Sequence, residues 1–449
     1  MKKSLFFMSI ILASLLMIAC SNDSDDGHSH HDKITDLAFL DIVDAESLYI
    51  STGSASNRSA RAADNYPKIF KITENTAVEE VSYLGKKGNP LSFSQNAPQP
   101  IAIKKVNNDY IFVGFGFGNG INFAYLVRKS DGAVFDMKNA GIPGMPGTPF
   151  NGSQDINKVI NIDGHNNLYF YTGTNENGIW RGLINKVDLN GINSLSSICM
   201  TPSTDNVSGY EVDVDGNIFY TGTLVSDYSQ GVSRIRKTNG GLYNITIEGK
   251  VWINLDGKLS YLAQDTSYQY HVKNIIIDSS YNVTEETYGS FSSTSNPNIY
   301  LYDSYIIKLS NRLLMINGQT ALTEETDRIY EVYNPTHTPR IVTLSNLSIK
   351  SVVSVTSTEN YYYIAGKDFS NNTFLIKVNP LNDSFTHILN NNDYDILSFI
   401  ASETDGITFN ALRMNDGKKI IGKVGINGGT VQVLDEESDV QIKYLERIN

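Results

Sequence analysis

The sequence repeats one short strand pattern about every fifty residues. In each copy an aromatic or aliphatic run ends near glycine or threonine, as in residues 168–174 (LYFYTGT) and 218–223 (IFYTGT). Two further strong copies and four weaker ones occupy residues 48–53, 110–114, 259–262, 313–318, 361–366 and 407–409. A period of this length indicates a repeat architecture, in which neighbouring units bury the apolar faces that one unit alone would expose.

Each copy is preceded by an apolar run and a tight polar turn, such as residues 107–109 (NND) and 215–217 (DGN). Asn and Asp-Gly turns between apolar runs indicate β-hairpins, because these residues accept the positive φ that such turns require. A third and a fourth strand follow most copies, as at residues 234–247. Four antiparallel strands per unit are typical of a propeller blade.

The sequence therefore predicts an all-β fold: a single β-propeller of eight four-stranded antiparallel blades over residues 37–449. Seven blades remain the alternative if the fifth unit, which is the least regular, is an insertion. Residues 440–445 lie beyond the last fourth strand. We expect them to close the ring by pairing near the first blade, beside residues 37–42, because closure removes exposed sheet edges.

Residues 212–219 (VDVDGNIF) resemble the hairpin of propeller repeats of the NHL and related types. The match is good in the fourth unit, partial in the third and poor in the fifth and sixth. The resemblance implies the fold but no activity, since propellers support many unrelated functions. The Asp-x-Asp-Gly string is interpreted as a turn and not as a calcium loop, because the EF-hand spacing and its later Glu are missing.

A formal net charge of −12 argues against nucleic acid and anionic membrane surfaces as partners, because both require basic patches. The chain has two cysteines, Cys20 and Cys199. Cys199 lies in an apolar run and is expected to be a buried small hydrophobe.

The N-terminus combines two lysines, an apolar stretch over residues 5–18, and Ala19 directly before Cys20. Residues 16–20 (LMIAC) resemble the lipobox of a bacterial type II signal peptide, although Met17 stands where Leu is usual. The resemblance implies a signal peptide over residues 1–19 and lipidation of Cys20, with palmitate among the acyl chains. The mature protein would then be held at the membrane through its lipid anchor only.

The segment that begins with Cys20, residues 20–36, is acidic and rich in histidine. Its acidic start looks like the tether that exports lipoproteins of the Bacteroidota to the outer face of the outer membrane. The resemblance implies a cell-surface, outer-membrane location. His28, His30 and His31 could bind a transition metal weakly, but a solvated spacer is the favoured interpretation, so no metal and no cofactor are predicted.

The longer loops between second and third strands, and the connections between blades, emerge on one face of a propeller. We expect ligand binding there, because long loops on a rigid scaffold usually carry function. Arginines could grip acidic groups, and aromatic rings could stack on a sugar or an aromatic ligand. The candidate ligand-binding residues are Arg58, Arg61, Phe115, Phe117, Trp180, Tyr228, Tyr268 and Tyr270.

No catalytic residue is predicted, because the sequence holds no nucleophile elbow, HExxH helix or phosphate-binding loop. We interpret the chain as a surface-anchored, monomeric ligand-binding propeller, with enzymatic activity uncertain and the less favoured option. Surface lipoproteins with a similar anchor often work beside TonB-dependent outer-membrane transporters. By that analogy, the protein would capture a small-molecule or glycan ligand for such a transporter, either a glycan or a ferric siderophore. The alternatives are a surface glycan-active enzyme (hydrolase or lyase) and an adhesion or scaffolding protein.

Overall fold

The computed structural model of the protein describes sixteen segments of the chain. They are residues 47–51, 68–72, 78–81, 99–116, 123–128, 134–137, 160–176, 179–190, 197–247, 250–265, 269–292, 304–318, 328–389, 392–403, 406–437 and 442–446. Within these segments the regular structure is β-strand, with no α-helix. The signal peptide, Cys20 and the tether lie outside the described residues.

Across the described segments, the strands pair into eight four-stranded antiparallel sheets. The first four sheets use β1 (Ser47–Ser51), β2 (Lys68–Ile72), β3 (Val78–Val81), β4 (Gln99–Lys105), β5 (Tyr110–Gly116), β6 (Phe123–Arg128), β7 (Val134–Asp136), β8 (Ile160–Ile162), β9 (Asn167–Glu176), β10 (Ile179–Asp188), β11 (Ser197–Cys199), β12 (Asp205–Val212), β13 (Ile218–Leu224), β14 (Gly231–Arg236) and β15 (Leu242–Asn244).

The other four sheets and the closing strand use β16 (Val251–Ile253), β17 (Leu259–Gln264), β18 (Gln269–Ile277), β19 (Val283–Ser292), β20 (Ser304–Lys308), β21 (Leu313–Asn317), β22 (Ile329–Tyr333), β23 (Arg340–Val342), β24 (Ile349–Ser357), β25 (Tyr362–Asp368), β26 (Thr373–Asn379), β27 (Ser384–Leu389), β28 (Tyr394–Ser402), β29 (Gly406–Arg413), β30 (Lys419–Val424), β31 (Gln432–Glu437) and β32 (Ile442–Glu446).

Seven of the sheets consist of four consecutive strands, whereas one joins β1, β2 and β3 to the C-terminal strand β32. In that sheet β32 runs antiparallel to β1, with Leu48 opposite Glu446. The prediction that the C-terminal segment pairs near the first unit is confirmed. Residues 37–42, its expected neighbours, lie outside the described residues. The pairing ties the two ends of the ring together and covers a sheet edge.

The strands at the inner ends of the sheets meet one another around the ring. β12 contacts β8 and β16, β28 contacts β24 and β32, and β32 contacts β4. The Lys104 ammonium donates to the Ile160 carbonyl at 3.4 Å and so joins β4 to β8. The predicted all-β propeller of four-stranded antiparallel blades is confirmed, and the fifth unit forms the sheet of β16 to β19.

The apolar core lies between adjacent sheets. One cluster, for example, joins Tyr169 and Ile184 of the third sheet to Tyr210, Val212 and Tyr220 of the fourth. The repeated aromatic residues of the second strands supply much of this buried surface. Burial at about 25 cal/mol per Å² of apolar area makes packing between sheets the main stabilising contribution.

The glycine that recurs in the repeat is required by a bulge in the first strand of the same sheet. A Cβ on Gly222 would lie 1.9 Å from the Asn206 carbonyl oxygen, and one on Gly366 would lie 2.1 Å from that of Ser351. The strand register shifts beside both glycines. Bulges bend the first strand and bring its backbone too close for any side chain.

The predicted hairpin turns are confirmed. Gly216 and Gly257 have φ values of 87° and 76°, which glycine adopts without strain. Asp213 Oδ1 accepts the backbone N–H groups of Asp215 and Asn217 at 3.0 and 2.8 Å. The carboxylate is therefore used by the turn itself, in agreement with the interpretation of this string as a turn.

Buried arginines link one unit to the next at the face of the second-to-third-strand loops. Arg181 donates from Nε to the Asp205 carbonyl at 2.9 Å and from Nη2 to the Pro202 carbonyl at 2.5 Å. Arg328 donates from Nε to the Ile349 carbonyl at 3.2 Å, and burial lowers its pKa to about 10. Both side chains satisfy backbone carbonyls in the connection to the following unit, which fixes the position of its first strand.

The expectation for Cys199 is wrong. This cysteine is exposed on β11, the short outermost strand of the third sheet, where the neighbouring Ile198 is 65% exposed. An outermost strand has no further sheet to cover it, so an apolar run there does not imply burial.

Candidate functional site

A central cavity of about 480 Å³ opens where the first strands of successive sheets converge. We call it the axial cavity. Its lining comes from six first strands, β4, β8, β12, β16, β20 and β24. Lys250, which directly precedes β16, also lines it. Its charged and polar side chains include Lys104, Asn161, Glu211, Lys250, Ser304 and Lys308. Its volume falls in the range typical of small-molecule sites.

The sheet arrangement explains why polar side chains collect there. A first strand ends its sheet on the axial side, so it has no further strand to hydrogen-bond beyond it. Long side chains such as those of Lys104 and Lys250, both half-buried, can therefore extend into water at the axis.

The charge of the axial cavity is opposite to that of the whole chain. Among the described lining residues there are three ammonium groups, those of Lys104, Lys250 and Lys308, and one carboxylate, that of Glu211. This leaves an excess of positive charge within a protein of formal net charge −12. Walls of low dielectric concentrate the field of such a cluster, so the cavity attracts anions.

Lys308 is the most informative of these lysines. Its side chain remains accessible to solvent, yet the surrounding strands lower its pKa because they displace water from the ammonium. The nearby Glu211 carboxylate acts in the opposite direction and raises the pKa. An ammonium that has lost part of its hydration gains more from an added anionic partner than one in bulk water.

A buried hydroxyl adds a second polar feature. Ser304 is 7% exposed and lines the cavity, and its Oγ forms no hydrogen bond within the described part of the chain. A buried donor left without a partner is costly, so a ligand oxygen that accepts from it would be favoured. Trp252, Ile306 and Val355 contribute apolar lining beside it.

Most of the sequence-predicted binding residues cannot be placed at this site. Arg58, Arg61, Phe117 and Tyr268 lie outside the described residues. Phe115 belongs to β5 and Trp180 to β10, but their side chains lie outside the described set. The predicted binding face therefore stays a prediction for these six residues.

The remaining two aromatic candidates differ from each other. Tyr228 is 41% exposed in the loop between β13 and β14, on the face where binding is predicted. Tyr270 is 1% exposed, and its ring stacks on that of Phe291 at 5.4 Å between centroids. The interpretation of Tyr270 as a ligand contact is corrected, because the first inward-facing position of β18 belongs to the core between sheets.

The lysines of the axial cavity are not among the binding residues predicted from the sequence. A signal was present, since lysines interrupt two mainly apolar strands: Lys104 and Lys105 in residues 101–106 (IAIKKV), and Lys308 in residues 304–309 (SYIIKL). Such a lysine is more often a solvated edge residue than a ligand contact. Only the ring geometry, which brings six distant strands to one axis, gives these positions a common environment.

No protein-family model matches the sequence, and no curated protein matches it. Among solved structures, a candidate 6-phosphogluconolactonase from Bacteroides fragilis is 11% identical, with a TM-score of 0.43, and the match covers 77% of this chain and 99% of that one. The β-propeller domain of the Trilobed protease from Pyrococcus furiosus is 11% identical, with a TM-score of 0.42 and coverage of 76% and 98%.

TolB from Acinetobacter baumannii is 10% identical, with a TM-score of 0.30 and coverage of 77% and 80%. Likeness at these levels does not transfer an activity to this chain. Across the described segments, no helix is long and apolar enough to cross a bilayer.

Proposed function

We propose that this protein is a ligand-binding propeller, held at the cell surface through lipidated Cys20, that captures a nutrient carrying an anionic group. The anionic group would bind in the axial cavity. The observation that carries the proposal is the cluster of Lys104, Lys250 and Lys308 around one cavity, with the Ser304 hydroxyl beside it.

The charge of the cavity narrows the ligand class. Of the two nutrients that the sequence predicts, ferric siderophores of the carboxylate and catecholate types carry anionic oxygens, and glycans are anionic only where they contain acidic groups. Lysine ammonium groups recognise such oxygens as point charges and do not require a fixed plane. We therefore favour an acidic glycan or a ferric siderophore over a neutral glycan, with a TonB-dependent outer-membrane transporter as the partner that receives it.

Binding is tested by titration calorimetry of the purified protein with one ligand of each class. The probes are an oligosaccharide of uronic acids, its neutral counterpart, a ferric catecholate and a ferric carboxylate chelate. We expect at least one anionic probe to bind. The affinity should fall about tenfold in Lys308→Met, because one ionic contact of about 1.4 kcal/mol is lost.

Lys258→Met is the matched control. Lys258 lies in the turn after β16, where its ammonium pairs with the Asp215 carboxylate and not with the cavity. An affinity unchanged in Lys258→Met but reduced in Lys308→Met supports the proposal. Equal losses in both variants, or binding of the neutral oligosaccharide alone, would contradict it.

The anchor requires a separate experiment. Mass spectrometry of the N-terminal peptide is expected to find an acylated Cys20, and Cys20→Ser should release the protein from membranes into the soluble fraction. Protease digestion of intact cells should remove a surface-exposed domain. Protection of the domain until the outer membrane is broken would place it on the inner side and overturn the surface location.

A further inference from the structure

In the fifth sheet, a histidine on the third strand and a serine on the fourth meet an aspartate that directly follows the second strand. His271 Nδ1 lies 2.7 Å from Ser290 Oγ, and His271 Nε2 lies 3.2 Å from Asp265 Oδ2. These distances are within hydrogen-bond reach of a nucleophile, a base and a residue that orients the base. The three residues are separated by up to 25 positions in sequence, and they form no recognisable local sequence motif.

Strand register produces this geometry. His271 of β18 stands directly opposite Ser290 of β19, so their side chains share one face of the sheet. Asp265 follows β17 in the hairpin that leads to β18. Its Oδ1 accepts the Gln269 backbone N–H at 2.9 Å, while its own N–H donates to the Gln269 carbonyl at 3.0 Å. The carboxylate is thus held by the backbone of the turn.

The carboxylate also determines the tautomer of the imidazole. An ionised carboxylate accepts hydrogen bonds and cannot donate them, so the neutral ring carries its proton on Nε2, toward Asp265. Nδ1 is then left with a lone pair that faces Ser290, and the Ser290 hydroxyl donates to it. This is the proton arrangement that a general base needs in order to activate a serine.

The cluster is accessible to a substrate. The side chains of His271 and Asp265 are 25% and 38% exposed, and Ser290 is half-buried. It belongs to the second to fourth strands of its sheet, whereas the axial cavity is lined by first strands. The two groups of residues are therefore separate, and we expect a substitution at one to leave the other unchanged.

We propose that Ser290, His271 and Asp265 form a hydrolytic site for carboxylic esters. Ser290 Oγ forms a bond to the ester carbonyl carbon as its proton passes to His271 Nδ1, and Asp265 stabilises the imidazolium. The C–O bond to the alcohol breaks, and the proton moves from Nδ1 to the leaving oxygen. Water then attacks the acyl-serine with His271 as base, which releases the carboxylic acid and restores the hydroxyl.

The test uses the purified full chain with p-nitrophenyl acetate as substrate and a fluorophosphonate as covalent probe. We expect slow ester hydrolysis, and mass spectrometry should locate the phosphonyl group on Ser290. Ser290→Ala should remove both signals. Asp265→Asn should reduce hydrolysis by at least about tenfold, because the amide no longer fixes the tautomer or stabilises the imidazolium.

Ser292→Ala is the matched control. Ser292 lies two residues along the same strand, opposite Gln269 and not opposite a histidine. Labelling of Ser290 that disappears in His271→Gln but persists in Ser292→Ala supports the site. A probe that labels wild-type protein elsewhere or not at all, or hydrolysis unchanged in Ser290→Ala, overturns it.

These outcomes are independent of anion capture. Ser290→Ala should keep the wild-type affinity for the anionic probe, and Lys308→Met should keep the wild-type hydrolysis rate. Failure of one proposal is therefore distinguishable from failure of the other.

Discussion

The turns that follow β8, β12 and β16, which we call the turn rim, and the axial cavity use polar residues in opposite ways. In the turn rim the side-chain acceptors are occupied. Asp163 Oδ1 accepts the N–H groups of His165 and Asn167, each at 2.9 Å, and Asn254 Oδ1 accepts that of Lys258 at 2.9 Å. In the axial cavity, the surrounding strands lower the pKa of Lys308, and the Ser304 hydroxyl has no described partner.

The turns of the rim are also joined to one another. The Gly164 N–H donates to the Val214 carbonyl at 2.8 Å, and the Val214 N–H donates to the Gly257 carbonyl at 2.7 Å. Three successive units are thereby linked through the backbone. Saturated polar groups of this kind serve the fold, whereas unsaturated ones in a cavity are available to a ligand. Whether a polar group already has a hydrogen-bond partner therefore distinguishes the structural residues of the turn rim from the candidate binding residues of the axial cavity.

The largest effect is expected in the turn rim. Asp213→Ala should lower the free energy of unfolding by about 3 kcal/mol, because it leaves buried N–H groups without an acceptor. Asp213 is 3% exposed and also accepts from the Asn217 side chain at 2.9 Å. Urea denaturation followed by tryptophan fluorescence measures the change.

Asp227→Ala is the control for this prediction. Asp227 makes similar hydrogen bonds, to Ser229 and Gln230, but in an exposed loop where water replaces them. We expect only a small loss of stability there. A loss as large as that of Asp213→Ala would show that local hydrogen bonding, and not burial, determines the contribution of the rim.

In the axial cavity the effects of substitution should be reversed. Lys308→Met is expected to change the free energy of unfolding by less than about 0.5 kcal/mol, or to raise it, because an incompletely hydrated charge is removed. The same denaturation experiment tests this. Destabilisation comparable to that of Asp213→Ala would make Lys308 a structural residue and weaken the assignment of the cavity as a binding site.

Glu211→Gln should strengthen anion binding by about threefold to tenfold, because it removes the carboxylate present among the described lining residues while it keeps the shape of the side chain. Calorimetry with the anionic probe measures the change. Weaker binding in Glu211→Gln would indicate that the carboxylate contacts the ligand directly.

The smallest expected effect concerns pH. The surrounding strands displace water from the Lys308 ammonium and lower its pKa from the ordinary value of 10.5. Only the protonated form attracts an anion, so affinity should decline as pH rises from neutral toward that value, earlier than for a lysine with an ordinary pKa. Lys308→Met should flatten the decline. If the affinity depends on pH in the same way in wild type and variant above neutral pH, the Lys308 ammonium has no role in anion binding.

The sequence predicts the repeat because its local signals and its global fold agree. The hairpins that contain Gly216 and Gly257 require a positive φ. Gly222 is required because the Asn206 carbonyl oxygen leaves no space for a Cβ. The first constraint acts within one turn and the second within one pair of hairpin strands, β12 and β13, so both leave a readable pattern. The pairing of β32 with the first sheet follows from the requirement to cover an edge.

The candidate sites could not be predicted in the same way. Lys104 and Lys308 meet at one cavity only because the sheets form a ring, and His271 faces Ser290 only through strand register. Each residue alone has an ordinary local context. Tyr270 shows the converse, since its position beside a loop predicts a ligand contact, whereas its ring packs on Phe291 in the core.

The most direct test of the central claim is to locate a bound anion. Crystals soaked in selenate, whose selenium scatters anomalously, should show a peak in the axial cavity between Lys104, Lys250 and Lys308. Crystals of the Lys308→Met variant should lose or weaken that peak. Peaks confined to the outer surface in wild-type crystals, with the axial cavity filled by water alone, would contradict the account.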